Sequence, residues 1–397
     1  MKWAKQLGAL SFALLLTGCA TTSVAPHNTA TSPNALQLTP SNYQQLPGWA
    51  QDNQQAAYEA LHRSCAKILH FSNRPYDPRT DPTWIASCNA IINTPTPKTA
   101  PAMRNLIQAH FTPYLATNHG KSDGLFTGYY EPTIPGSLTP TSYYSVPIYA
   151  KPDTLKIVRD SDGSRSYIWT NLPHTAQSPT RAQLTQGIIP NTKILAWVHS
   201  PVDRYFMEIQ GSGSIYINHH DHLLVGFTAQ NGQPYHSIGR YLLDIGAIPT
   251  KQLSMQSIRD WLEAHPGQVN NVLNQDPSFV FFRKIEAKTP LGAEGVPLIP
   301  GRSVAIDPNY ILFGTPIWLS TFYPQKQSSK ISHGAPLQRL VVAQDKGGAI
   351  NGPIRADVFW GSGKSAIFYA GHMQSRGQYW LLLPIGLPID KYYPQHN

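Results

Sequence analysis

The sequence predicts a mainly β protein with minor helices, organised as more than one domain. Only 13% of the 397 residues are charged, about half the roughly 25% of an average soluble domain, which excludes long charged helices. Pro supplies 35 residues, and the balance leans to Tyr, Thr, Ser and Gln, the mixture of short strands joined by rigid turns. The length exceeds what one hydrophobic core usually organises. Hydrophobic residues at 41% exclude wholesale disorder.

The N-terminus carries an address. Lys2 and Lys5 precede an apolar stretch from Leu7 to Leu16, too short to span a bilayer and of the right length for a signal-peptide core. It runs into Leu16-Thr17-Gly18-Cys19, which resembles the lipobox of bacterial lipoproteins. The resemblance makes 1–18 a signal peptide and Cys19 the lipidated mature N-terminus; the other reading is a chance Cys behind an ordinary signal peptide. Ala20, where inner-membrane lipoproteins often carry Asp, implies by the same resemblance an outer-membrane anchor facing the periplasm. Residues 19–45, rich in Thr, Ser, Asn and Pro, read as a flexible tether. In an oxidising periplasm free thiols rarely persist, so Cys65 and Cys88 are expected to form a disulfide, with two separate buried thiols as the alternative. Neither has a base nearby in sequence that would activate it as a nucleophile.

Along the rest of the chain, helical spacing recurs between Trp49 and His70 and from Ala102 to His110. From Leu125 to Gly226, short apolar or alternating runs are cut by Pro and Gly about every ten residues and read as strands, Val146-Pro147-Ile148-Tyr149 and Tyr205-Phe206-Met207-Glu208-Ile209-Gln210 among them. Ile238–Leu243 and Ile258–His265 return to helical spacing. Phe279–Phe282, Ser303–Ile306, Pro316–Leu319, Leu340–Ala343 and Tyr379–Leu383 read as strands. There is no internal repeat and no second membrane span.

Several functions are excluded. The net charge of +9 favours an anionic partner, but the basic residues are scattered singly with no nucleic-acid motif, which argues against nucleic acid. Gly361-Ser362-Gly363-Lys364-Ser365 imitates the end of a phosphate-binding loop, yet Val358 stands where the opening Gly is required. His219, His220 and His222 lack helical spacing and an obvious fourth ligand, and read as a solvated loop rather than a metal site. With no His-Glu-x-x-His and no Gly-x-Ser-x-Gly, zinc and serine chemistry lack support, and no cofactor is implied.

Carboxylates remain. Asp307 lies in Arg302-Ser303-Val304-Ala305-Ile306-Asp307-Pro308, Asp345 in Val342-Ala343-Gln344-Asp345-Lys346-Gly347-Gly348, and Asp357 in Ile354-Arg355-Ala356-Asp357-Val358-Phe359-Trp360-Gly361. Each ends or follows an apolar run, where a carboxyl half buried against a barrel interior would have a raised pKa and keep a proton near neutral pH. The alternative for each is a turn-forming Asp.

Taken together, these three blocks resemble the three-aspartate domain of the membrane-bound lytic murein transglycosylase A family. Further blocks similar to that family follow in its order: Phe126-Thr127-Gly128-Tyr129-Tyr130-Glu131-Pro132, Trp197-Val198 with Pro201-Val202-Asp203, Ile209-Gln210-Gly211-Ser212-Gly213, Gly232-Gln233-Pro234-Tyr235 with Ser237-Ile238-Gly239-Arg240, and Pro277-Ser278-Phe279-Val280-Phe281-Phe282. Lys346 departs from the Thr common in the family, and a cation there would lower the pKa of Asp345.

The resemblance implies a double-psi β-barrel domain built from 46–131 and 287–397, with the three-aspartate domain at 302–384, and an inserted β-rich domain at 132–286. A substrate groove would lie between them. It implies cleavage of peptidoglycan glycan strands at the β-1,4 bond after N-acetylmuramic acid, closing a 1,6-anhydro ring, with Asp357 as the single acid and then base. Asp345 and Asp307 would support it. Thr127, Gly128, Tyr129, Tyr130, Glu131, Gln210, Ser212 and Trp360 would line the groove, although ordinary strand and turn packing accounts equally well for the first and third blocks. Tyr129 and Tyr130 would offer faces to sugar rings, and burial beside Phe359 and Trp360 would raise the pKa of Asp357. The rival readings are a hydrolase whose second carboxylate, Asp345 or Glu131, handles water, and a non-catalytic, expansin-like glycan-binding wall protein. Protein partners in the wall-growth machinery are compatible with either.

Overall fold

The computed structural model describes residues 35–70, 77–159, 165–173, 176–217, 221–287, 289–327 and 330–393. The signal segment 1–18, Cys19, His219 and His220 lie outside the described residues.

The chain enters through strand β1 (Leu36–Pro40), which pairs antiparallel with β2 (Phe111–Asn118) from Leu36↔Asn118 to Pro40↔Tyr114. Residues 36–40, expected as part of the tether, are therefore a strand: Leu36 and Leu38 alternate inward and are buried, which is enough to hold an edge strand. Between these strands lie three helices, α1 (Tyr58–His70), α2 (Pro82–Asn93) and α3 (Ala100–His110). Helix α2 is an element the hydrophobic pattern did not reveal. Its start is nonetheless written in Asp81-Pro82-Thr83, because the Asp81 side chain accepts from Thr83 N and Pro82 occupies the first turn. Cys65 on α1 and Cys88 on α2 are joined in a disulfide with Cα atoms 4.8 Å apart.

Strand β3 (Gly124–Glu131) then leads across one residue into β4 (Thr133–Ser137), the first strand of a separate six-stranded sheet. That sheet is completed by β5 (Val146–Tyr149), then, beyond the β6–β7 hairpin (Leu155–Arg159, Arg165–Trp169), by β8 (Ile194–Val198), β9 (Ser212–Tyr216), β10 (His222–Gln230) and β11 (Val280–Lys284), in the order β11-β10-β9-β4-β8-β5. One face packs Ile148, Val198, Ile215, Val225 and Phe282. The short α4 (Arg181–Leu184) packs with Tyr149, Leu155 and Phe281, and a helical cluster joins the sheet: α5 (Pro201–Gln210), α6 (Ile238–Asp244), α7 (Met255–Ala264) and α8 (Val269–Leu273).

Helix α5 corrects the strand reading of Tyr205–Gln210. Tyr-Phe-Met-Glu-Ile-Gln imitates alternation, but Ser200 caps the helix by accepting from Val202 N and Asp203 N, Pro201 fits its first turn, and Gly211 at φ 76° ends it. Residues Arg204 to Glu208 are all buried, and Arg181, Glu208 and Arg204 pair in the interior, with Arg181 Nη2 2.7 Å from Glu208.

The chain returns to the first sheet through β12 (Ser303–Ile306), β13 (Pro316–Gln327), β14 (Lys330–Asp345), β15 (Arg355–Ser362) and β16 (Gln374–Pro384), with α9 (Gly363–His372) between the last two. This sheet runs β1-β2-β16-β13-β14-β12-β15-β3, and β3 also pairs with the start of β16, closing a six-stranded ring. Two of its pairings are parallel, β12 with β14 and β15 with β3, as a double-psi barrel requires of a chain that crosses over itself. Phe126, Val304, Ile317, Val341, Ala343, Ala356, Val358 and Leu381 fill the interior, while Trp318, Leu340 and Val342 face outward and are covered by the N-terminal segments. Helix α9 corrects the expectation of strands alone in this region. No helix among the described residues is long and apolar enough to cross a membrane.

Candidate active site

Ala356 and Val358 point into the barrel core, so alternation along β15 turns Arg355, Asp357 and Phe359 outward. Asp357 is thus half buried on the outer face of β15, and not against the barrel interior. Its neighbours follow from register. Ala305 on β12 pairs with Asp357 on one side and with Asp345 on the other, and Thr127 on β3 lies opposite Asp357 on its far side. The ring therefore lines up Asp345, Ala305, Asp357 and Thr127 in one row across four strands, with only a methyl group between the two carboxylates.

The Thr127 hydroxyl donates to Asp357 Oδ1 at 2.6 Å. Burial pushes the Asp357 carboxyl up to about 6; the Arg355 guanidinium and the Thr127 hydroxyl pull it down, and the negative charge of Asp345 pushes it up. Arg355 does not clamp it, because its Nη1 donates instead to the carbonyls of Leu125 and Ala356 at 3.3 and 2.7 Å. Phe359 shares the face of Asp357 and packs with Tyr129, Leu298, Ala305 and Ile350 in a small apolar cluster.

Asp345 is held on both oxygens. Oδ2 accepts from the Tyr129 hydroxyl at 2.8 Å, and Oδ1 from Ala293 N at 2.8 Å and Lys346 N at 2.9 Å. These bonds and the Lys346 charge favour the carboxylate, but burial outweighs them and the pKa stands above the ordinary value, against the lowering expected from Lys346 alone. Asp307 is buried at the end of β12, where its oxygens accept from Asn309 N and Gly352 N at 3.0 and 2.8 Å, tying two turns together.

The predicted groove residues separate into groups. Thr127 and Tyr129 reach the two carboxylates, but Tyr129 is 8% and Tyr130 only 3% exposed, so neither ring offers a face to a sugar. Tyr130 is covered because β3 runs beneath the second sheet's helices: Gln210 at the end of α5 accepts from Tyr130 N at 3.0 Å. Trp360 and Gly128 lie on the opposite face of their strands from Asp357, a correction to their placement in the groove and to Trp360 as a cause of the raised pKa. A Cβ on Gly128 would lie 2.5 Å from Trp360 Nε1, so this glycine lets the indole close against β3. Trp360 lies instead against Tyr369, with ring centroids 4.8 Å apart and the planes tilted by 38°. Glu131, half buried where β3 ends, has its carboxyl raised to about 7 by burial. Ser212 is half buried at the start of β9. His222 lies on β10, 3.5 Å from the Ser214 hydroxyl.

Sequence reasoning missed Ala293 and Ala305. The first acts through its backbone N–H and the second by being small, so neither carries a side-chain signal; only strand register exposes them.

Two family models match the chain, the MltA specific insert domain over residues 125–283 and the 3D domain over residues 302–383. The membrane-bound lytic murein transglycosylase A of Escherichia coli strain K12 is 34% identical over 271 residues, covering 67% of each chain. The chain belongs to the membrane-bound lytic murein transglycosylase A family. The Vibrio cholerae family member is 31% identical over 278 residues, covering 67% of this chain and 69% of that one. Among solved structures of the family, a membrane-bound lytic murein transglycosylase from Agrobacterium tumefaciens superposes with a TM-score of 0.76 at 29% identity, over 90% of this chain and 99% of that one. E. coli MltA with bound chitohexaose gives 0.63 at 27% identity, over 89% and 95%. The matched blocks of the transglycosylase A family contain both strands, β3 and β15, that meet at Asp357.

Proposed function

We propose that this chain is a lytic transglycosylase that cleaves the β-1,4 bond between N-acetylmuramic acid and N-acetylglucosamine in peptidoglycan, with Asp357 as its acid and base. The observation that carries the reading is a half-buried carboxyl, raised to about 6, hydrogen-bonded by Thr127 and free of a guanidinium clamp. Such a group holds a proton near neutral pH and can give it to the glycosidic oxygen. As carboxylate it then takes the proton from the C6 hydroxyl of the same muramic acid, whose oxygen closes on the anomeric carbon; the product is the 1,6-anhydro sugar and no water enters. Asp345, oriented by three donors, supplies negative charge toward the oxocarbenium-like state. Positioned proton transfer accounts for about 10² to 10⁴-fold, and the groove must supply the rest.

The names of the relatives support membrane association, and the lipid anchor at Cys19 with an outer-membrane, periplasm-facing location completes the proposal. A glycan strand as ligand accords with the chitohexaose bound by E. coli MltA.

The test is Asp357→Asn assayed on purified murein sacculi. Loss of soluble anhydro-muropeptides is expected, and their continued release overturns the assignment. One observation favours a second reading: Asp345 and Asp357 are two strand spacings apart, roughly 10 Å between backbones, close to the separation used by inverting hydrolases. Fragments ending in reducing muramic acid would establish that hydrolase. Against it, both oxygens of Asp345 are engaged by donors, which leaves a poor base for water. Binding to sacculi without soluble product would mark a glycan-binding wall protein.

A further inference from the structure

The loop between β11 and β12 grips the end of β14 at two successive residues. Ala293 N donates to Asp345 Oδ1 at 2.8 Å, and Glu294 N donates to the Gln344 carbonyl at 3.1 Å. The approach is close enough that a Cβ on Gly292 would lie 2.2 Å from the Gln344 oxygen. On its other side the loop is fixed by the Glu294 side chain, which is 7% exposed. Glu294 Oε2 accepts from the Ser64 hydroxyl at 2.7 Å, and the Ser64 oxygen accepts from Gln344 Nε2 at 2.9 Å, the same amide donating to the Ala60 carbonyl at 2.8 Å. The bonds close a cycle from the Glu294 carboxyl through Ser64 and the Gln344 side chain to the Gln344 carbonyl and back to Glu294 N. Ser64 is anchored in turn, since the next residue, Cys65, is bridged to α2.

We infer that Glu294 is a positioning residue for the reaction: through Ser64 and Gln344 it fixes the Ala293 amide on Asp345, and so fixes the charge that Asp345 presents to Asp357. A carboxyl in this place is costly to bury, and the connected polar cycle it closes specifies one arrangement of the loop. The groups facing Glu294 are Ser64 and Lys67 on α1, and Arg79 in the turn before α2, itself bonded to Asp77. Those facing Asp345 are Tyr129, Lys346 and, across Ala305, Asp357, which in turn faces Arg355. Because the Asp345 charge helps hold the proton on Asp357, loosening Asp345 makes Asp357 release that proton at lower pH. The basic limb of the activity profile then moves acidward.

The inference rests on the acid–base reading of Asp357. The experiment follows cleavage of soluble murein glycan strands against pH by the full chain and by Glu294→Ala, Glu294→Gln and Ser64→Ala, with melting temperatures measured alongside. Glu294→Ala and Ser64→Ala are expected to lower kcat about 10-fold with KM nearly unchanged and to shift the basic limb to lower pH. Glu294→Gln, whose amide oxygen still accepts from Ser64, retains most of the activity and the wild-type limb. If Glu294→Ala folds poorly, Ser64→Ala carries the test alone. The inference is overturned if the limb stays fixed in both alanine variants, or if activity falls in all three only as far as the melting temperature falls. Asp357→Asn separates the two claims: activity retained there removes the acid, whereas activity lost there with an unmoved limb in the alanine variants removes only the positioning role.

Discussion

Thr127 and Asp357 face each other across the parallel pair β3 and β15, and the threonine hydroxyl donates to the carboxylate at 2.6 Å. A donor to the ionised form stabilises that form, so this contact opposes the burial that raises the Asp357 pKa. Thr127→Val should therefore raise that pKa further and move the basic limb of the pH–kcat/KM profile upward, the reverse of the shift expected for Glu294→Ala. A hydrogen bond to a charged group is worth about 1.5 to 3 kcal/mol, which corresponds to roughly one to two pH units. A profile unchanged within error would show that the hydroxyl does not engage the working carboxyl.

The wild-type profile itself is constrained. As the acid, Asp357 must be protonated in the free enzyme, so kcat/KM should decline as pH rises through about 6. The same group links pH to stability. Its folded pKa lies above the unfolded value, so its contribution is fully present below the ordinary carboxylate pKa and is lost as pH rises through about 6. Asp357→Asn should melt above the wild type at pH 8 by several degrees, and the gap should close by pH 4. Calorimetry at the two pH values measures it, and a gap independent of pH would contradict the buried-acid account.

Gly128→Ala tests the packing behind the site. The added methyl would meet Trp360 Nε1 at 2.5 Å and Ala370 Cα at 3.1 Å, the second of which is backbone and cannot swing aside. Overpacking of this kind costs about 1 to 3 kcal/mol. Chemical denaturation should show it as a lower midpoint with an unchanged slope.

The Cys65–Cys88 bridge closes a separation of 23 residues. Replacing both cysteines by serine should lower stability by roughly 3 kcal/mol. If the Glu294 cycle depends on α1 as argued, the double variant should also move the basic limb acidward at temperatures where it is fully folded. A stability loss with no such shift would confine the bridge to a structural role.

How much of this was legible in the sequence depends on whether a residue acts through its side chain or through its place. Ser303–Ile306, read as a strand, is β12 to the residue, because four buried apolar or small positions between turns admit little else. Tyr205–Gln210 misled, since a short amphipathic helix and a strand share apolar spacing over six residues and only the caps at Ser200 and Gly211 distinguish them. Helix α9 hid in Gly363–His372 because its apolar residues do not gather on one buried face, Ala366 being the residue it buries. At the site, Asp345 and Asp357 stood out by residue type. Their alignment on either side of Ala305 did not, because register between strands far apart in sequence is a property of the closed ring. The aromatic pair Tyr129 and Tyr130 looked like a sugar platform until the fold showed what covers each ring.

The Thr127–Asp357 contact joins residues 230 apart in the chain, with the entire second sheet lying between them. A polypeptide that stops anywhere before β15 has no acid, and one that lacks β3 has no partner for it. A chain without both strands cannot hold the proton in place, so a nascent copy that has not yet reached β15 is chemically silent. For an enzyme that would cut the fabric keeping a cell from bursting, late completion of the blade is itself a safeguard.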